Sequence, residues 1–479
     1  MNYRIIRYTL GCTLYIEAFC FLIPLLCAVF NSEFQYIPHI LFSIALCVLC
    51  GFLLAFKKPA DKTMYAKEGF ISVAMSWIII SIFGAIPFMT TGFIPNFFDA
   101  LFETVSGFTT TGASILTDVE ALPKCLLLWR SFSHWIGGMG VLVFLVAILP
   151  LSGGDNMHLI KAESPGPAVS KLVPKVRSTA KILYLIYIGI TVTQIILLKL
   201  GGLDWFESLA LSFGTAGTGG FGTRNSGIAE YSPYVQNIIT IFMILFGIDF
   251  SFYYLILMRK LKSALKMEEV RGYLLIILTA IVVIMINCYG MYSNIWDNLR
   301  YTAFQVGSII TTTGYSTVDF NLWPELSKTI ILILMFIGAC AGSTGGGIKV
   351  SRIMIFLKGI FKEIKLAIHP RRTVKVTMNG RMIEHETVRG VNVYMAAYIV
   401  IFFVALLIIS IDNFDFTTNF SAVAATLNNI GPGLNLVGPV SNFSCYSDLS
   451  TFVLTVAMLI GRLEIFPILI LFSRHTWRK

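Results

Sequence analysis

The chain has 479 residues, of which 56% are hydrophobic and only 13% charged, and its mean hydropathy is +0.77. Soluble domains carry about 25% charged residues, so this composition excludes a soluble globular protein and points to a chain that crosses a membrane many times. The net charge of +10 reads as membrane topology rather than nucleic-acid affinity, because the cations gather in short stretches between apolar runs.

Taken from the N-terminus, Arg4 and Arg7 flank an apolar run at residues 5–30. That run is too long for a signal peptide and no small-residue cleavage site follows it, so a retained helix is predicted. Further runs at residues 37–56, 70–93, 132–151, 182–200, 235–258, 273–289, 330–361, 391–411 and 449–472 approach the roughly 20 residues a bilayer requires. Ten spans are therefore predicted. With the N-terminus inside, the stretches 57–67, 161–181, 259–271, 349–389 and 474–479 also lie inside. Of the basic residues, only Lys124, Arg130, Lys199, Arg224, Arg300, Lys328 and Arg462 fall elsewhere. Both termini are thus expected on the cytoplasmic side, facing an acidic outer surface. Cys47 and Cys50 form a CxxC on one predicted helix, but no His or further Cys stands nearby in sequence to complete a tetrahedral metal site.

After two spans the chain repeats a pattern four times: a span, a segment too short to span, a glycine-bearing turn, and another span. The short segments are 96–108, 205–216, 298–310 and 416–428. Two of the turns carry the same tetrapeptide, Thr-Thr-Thr-Gly, at 109–112 and 311–314. Glycine tolerates positive φ and threonine adds hydroxyls, so such a turn can aim carbonyls at an axis and replace the water around a cation. Any one turn alone reads better as a Gly-rich loop or helix C-cap without a ligand. Four in register predict half-helices around a shared cavity, because broken helices survive at membrane depth only inside protein or facing water. Their C-terminal dipole ends favour a cation there. The candidate ligands are Thr110, Thr111 and Gly112; Thr218 and Gly219; Thr312, Thr313 and Gly314; and Asn429, Ile430 and Gly431. The turns contain no carboxylate, which favours a monovalent ion over a hard divalent one. Asp99, Asp204, Asp297 and Asp415 lie near the starts of the short segments, where helix capping is their expected role.

Residues 338–347 place five glycines, with Ser343 and Thr344, inside an otherwise helical span. Each glycine weakens a helix interior by about 1 kcal/mol, so Gly342, Ser343, Thr344, Gly345, Gly346 and Gly347 are predicted to break it; close helix packing through small residues is the other reading. Arg462 lies deep in the last span, and a membrane-embedded guanidinium faces a partner or a water-filled cavity. It is expected to face the pore and bond the glycine segment, with neutralisation by Glu464 as the alternative. Asp249 is either a cation waypoint or a hydrogen-bonded packing residue. The basic stretch 349–389 could meet anionic lipid or a regulatory partner. His39, His134, His158, His369, His385 and His475 form no metal-spaced cluster, and no nucleophile and base pair stands out, so enzymatic activity is not expected.

These turns, together with the segments 338–349 (GACAGSTGGGIK), 461–466 (GRLEIF), 137–140 (GGMG) and 164–167 (SPGP), resemble the Trk/Ktr/HKT superfamily of potassium transporters over essentially the whole chain. The two extra N-terminal spans are similar to the Trk branch. The resemblance implies an all-α polytopic membrane protein with four membrane-helix, pore-helix, membrane-helix repeats in pseudo-fourfold arrangement. The segments would be 1–62 for the two N-terminal helices and 63–160, 161–266, 267–365 and 366–479 for the repeats. It further implies potassium uptake through a gated filter, with potassium bound at the candidate ligands and residues 342–347 and Arg462 as the gate. No other cofactor or metal is implied. The expected setting is a bacterial inner membrane, a homodimer and a cytoplasmic nucleotide-binding regulatory subunit of the TrkA type, without nucleic acid. A less selective sodium- and potassium-permeable relative and an ion-coupled solute symporter are the alternatives. The fourth turn departs from the pattern, with Asn428, Asn429 and Ile430 where the first and third carry threonine.

Overall fold

The computed structural model describes residues 1–59, 65–148 and 176–477. The expected boundaries at 62 and 160 and the motif at 164–167 lie outside those residues. The boundary at 365 falls within the helix Val350–Ile368.

Among the described residues, six helical stretches are long and apolar enough to cross a membrane: Tyr3–Phe30, Phe34–Ala55, Lys67–Thr90, Lys181–Leu200, Glu268–Asn287 and His385–Asp412. They match six of the ten predicted spans. The predicted span at 132–151 lies in the helix Lys124–Ile148, with 149–151 beyond the described residues. The other three are not continuous. Pro233–Phe246 and Phe250–Leu257 meet at 88°. Glu325–Ile337 and Val350–Ile368 are separated by the glycine segment. Asp448–Arg462 and Phe466–Phe472 are separated at Leu463–Ile465, where Glu464 and Ile465 take φ of 60° and 69°. The break at the glycine segment is the one expected from its composition; the other two are hidden because hydropathy averages across them.

Between the long helices stand four short ones, Phe97–Phe108, Trp205–Gly217, Ile295–Ile310 and Phe416–Leu427. Asp204 and Asp415 cap theirs as expected, accepting from the Glu207 amide at 2.7 Å and the Thr418 amide at 3.0 Å. The Thr418 hydroxyl on Asp415 holds its carboxyl below the usual range. Asp99 and Asp297 do not cap; Asn96 and Asn294 do, through the amides of Phe98 and Asp297, because they stand at the last non-helical position while the aspartates already lie in the first turn. The N-terminal helix is anchored to the first repeat by Phe21, stacked on Trp129 with centroids 4.2 Å apart.

Candidate cation site

Each short helix ends in the same hydrogen-bonded cap. In the first, the Thr110 amide donates to Gly107 at 3.2 Å and the Thr111 amide to Ser106 at 2.9 Å, the paired bonds of a Schellman motif. The second repeats it with Thr218 to Thr215 and Gly219 to Gly214, the third with Thr312 to Ile309 and Thr313 to Ser308, the fourth with Asn429 to Thr426 and Ile430 to Ala425. The C-cap reading therefore holds at all four turns. The left-handed position, usually glycine, is Thr110, Thr218, Thr312 and Asn429, with φ between 55° and 59°. For a β-branched residue that conformation is strained by roughly 1–3 kcal/mol. Three threonines held there mark a place where the surrounding structure, not local preference, sets the backbone.

The four caps close into a ring. A Cβ on Gly112 would fall on the carbonyl oxygen of Gly219, one on Gly220 on that of Thr313, and one on Gly314 on that of Ile430; one on Gly431 would come 2.8 Å from that of Thr111. These glycines also need their φ of 80–103°. The register of the second turn thus differs from the sequence reading. Gly220, not Gly219, is the counterpart of Gly112, and Gly219 takes the place of Thr111. Composition misleads here because two adjacent glycines leave the alignment free to slide. The fourth turn keeps the common backbone despite its different side chains, since asparagine tolerates the left-handed region. Asn429 Nδ2 reaches Thr111 Oγ1 at 3.0 Å and the Met458 carbonyl at 2.9 Å. The hydroxyls mostly serve the ring itself: Thr109 to Thr111 and Thr311 to Thr313 are each 2.8 Å apart, and Thr218 donates to Gly217 at 2.6 Å.

Side chains the sequence reading passed over brace this ring from behind. Glu103 and Arg130 form a buried ion pair at 2.7 Å; Glu103 also accepts from the Ile115 amide at 3.1 Å, and Arg130 lies over the Phe221 ring at 4.0 Å. His134 joins the first two turns, with Nδ1 2.7 Å from the Gly107 carbonyl and Nε2 accepting from the Phe221 amide at 3.2 Å. The Tyr315 hydroxyl stands 3.2 and 3.3 Å from the carbonyls of Leu211 and Phe221. The available signal was ionisable residues inside an apolar helix. Metal spacing alone does not reveal His134, and Arg130 stands two residues ahead of the predicted span at 132–151 but inside the helix Lys124–Ile148.

The glycine segment leaves and rejoins its span at one point. The amides of Ile348, Lys349 and Val350 donate back to Phe336, Ile337 and Ala339, and Gly338 lies against Gly347 closely enough that a Cβ on either would meet the other's Cα below 3 Å. The excursion docks beneath the third and fourth turns: the Gly346 amide donates to Thr312 Oγ1 at 2.6 Å and the Gly347 amide to the Asn428 carbonyl at 3.0 Å. Arg462, the last residue of its helix, donates to the carbonyls of Thr344 at 2.9 Å and Gly137 at 2.7 Å. Buried Lys349 donates to the Gly345 carbonyl. Glu464 does not neutralise Arg462; it pairs with Arg352, because the break at 463–465 turns the two side chains apart. Asp249 caps Phe250–Leu257, accepting from Ser251 at 2.8 Å, which is the packing role. The arrangement puts the carbonyl-bearing turns on one side of the excursion and two cationic side chains, Arg462 and Lys349, on carbonyls of the excursion itself.

The family model for TrkH, a cation transport protein, matches residues 37–478. The chain is 34% identical to the Trk system potassium uptake protein TrkH of Halomonas elongata, with 100% of both covered. It is 36% identical to the protein of that name from Escherichia coli K12 over 91% of each. Its fold is similar to the crystal structure of the potassium transporter TrkH from Vibrio parahaemolyticus, with a TM-score of 0.90, 31% identity and 100% of both chains covered.

Proposed function

The chain belongs to the TrkH family of cation transport proteins, and we propose that it is the membrane subunit of a potassium uptake system, with the ring of four turns as its filter. The observation that carries this reading is the head-to-tail closure of the ring, in which every turn glycine faces the carbonyl of the next turn. The carbonyls of Thr111, Gly219, Thr313 and Ile430 are the proposed potassium ligands, with Thr110, Thr218, Thr312 and Asn429 one step below and Gly112, Gly220, Gly314 and Gly431 permitting the approach. Backbone oxygens suit a dehydrated monovalent cation. The excursion Gly342–Gly347 and Arg462 form the gate, where the guanidinium adds a positive barrier to the ion's path.

The charge pattern supports a multi-pass protein of a bacterial inner membrane with the basic segments and both termini cytoplasmic. We assign the stretch 349–389 to the docking face for a nucleotide-binding regulatory subunit of the TrkA type, and the working unit to a homodimer. Reconstituted vesicles loaded with potassium test the pore: rubidium and potassium influx well above sodium is the expected result. Equal permeation of all three would overturn the selective filter in favour of the sodium- and potassium-permeable alternative, which the missing threonine hydroxyl of the fourth turn favours. No flux of any cation would overturn the pore.

A further inference from the structure

Both ends of the glycine excursion meet one carboxylate. Glu269 stands in the first turn of Glu268–Asn287 and is 6% exposed. Its Oε1 accepts from the Ala341 amide at 2.6 Å, where the excursion begins, and from the Ser351 amide at 3.1 Å, just after it ends. The top of the excursion is tied to the ring through Gly346 and Gly347, and its flank to Arg462 and Lys349. Those ties hold the excursion's top and flank; Glu269 acts on the two segments that enter and leave. Glycine-rich backbone has many conformations to lose, so a clamp on both ends removes far more of that freedom than a contact at the tip.

We propose that Glu269 is the positioning residue of the gate, a single carboxylate oxygen that pins the excursion's entry and exit and so keeps it seated beneath the ring. This rests on the pore reading above and adds to it the element that decides whether the excursion stays closed. The clamp stands beside a second contact: the Glu268 amide donates to Asn379 Oδ1 at 2.7 Å, and Lys358 pairs with Glu268 while donating to the Thr377 carbonyl at 2.8 Å. The start of this helix therefore touches both the excursion and the hairpin Thr377–Met382 of the basic face.

The test compares full-length Glu269→Ala, Glu269→Asp and Glu269→Gln in lipid vesicles by two readouts: basal rubidium influx, and alkylation of the native Cys340 by N-ethylmaleimide followed by mass spectrometry. Cys340 is buried at the root of the excursion, next to Ala341, so its reaction reports release of that root, which a loss of global stability alone would not produce at temperatures well below unfolding. The alanine variant lacks the acceptor and the aspartate variant is one methylene too short to reach both amides. Alanine loses both bonds and aspartate at least one, so each is expected to raise influx and Cys340 alkylation by roughly tenfold or more, tenfold being the scale of one lost buried hydrogen bond. The glutamine variant keeps an acceptor oxygen and is expected within about threefold of the parent. Parent-like influx and alkylation in a folded alanine or aspartate variant overturns the proposal; if alanine does not insert, aspartate carries the test. A parent protein without influx overturns the pore reading instead, while Cys340 alkylation still reads the clamp.

Discussion

The ring and the excursion beneath it are both rich in glycine, yet glycine does opposite work in them. In the ring, Gly112, Gly220, Gly314 and Gly431 are each pressed against a neighbouring carbonyl, so the absent side chain lets backbones meet and leaves them no room to move. In the excursion, backbone contacts such as the Gly347 amide on Asn428 and the Phe250 amide on Gly342 are joined by side chains that can let go: Arg462 on Thr344, Lys349 on Gly345 and Glu269 on Ala341 and Ser351. Backbone packed on backbone has one arrangement, whereas backbone tethered by side chains has a second one as soon as the tethers are released. On the proposed reading, the ring is the element that stays put and the excursion the one that side-chain release frees.

The strongest way to break that contrast is to put a side chain into the ring. Gly112→Ser and Gly220→Ser are each expected to lower discrimination between potassium and sodium on the order of a hundredfold, read as the ratio of uptake rates in competing gradients. Unchanged discrimination in Gly220→Ser would show that the register of the second turn is wrong. Next in size, Arg462→Ala removes two carbonyl bonds and a barrier charge and should raise basal flux about tenfold; a patch recording at the parent's open probability would remove the tether role. His134→Ala leaves the Phe221 amide unpaired and a void behind the first two turns. It should cost about 2–4 kcal/mol, seen as a lower midpoint in detergent-solubilised thermal unfolding, and an unaltered midpoint would mean the ring does not lean on this imidazole. Asn429→Thr should shift selectivity less than about threefold, because threonine already occupies the equivalent left-handed position in the other turns. Smallest is Gly222→Ala, whose nearest neighbour beyond a new Cβ is 3.6 Å away; uptake at the parental rate is expected, and a selectivity loss there would mean the ring extends past its turns.

Much of the pore was legible from residue order. The short segments are recognisable because 12 to 16 helical residues cannot cross a bilayer and end in glycine or threonine turns. The glycine excursion announces itself by a composition no helix sustains. The bends at Gly247–Asp249 and Leu463–Ile465 were not legible, since apolar residues continue on both sides; the first is held by contacts from elsewhere, the Cys340 amide on the Gly247 carbonyl and the Phe250 amide on that of Gly342. Asn96 and Asn294 were missed as caps because an acid sits within three residues of each and competes for the same role in any local pattern.

Sequence by itself determined the membrane class, the fourfold turn, the family resemblance and the location of the glycine excursion, because hydropathy, glycine content and spacing are properties of neighbours along the chain. Tertiary structure decided which glycine of Gly219 and Gly220 faces the next turn, that Glu464 serves Arg352 rather than Arg462, and that Glu103, Arg130, His134 and Glu269 stand behind the pore. Those choices depend on partners from distant parts of the chain, and only closure of the ring brings them within hydrogen-bonding distance.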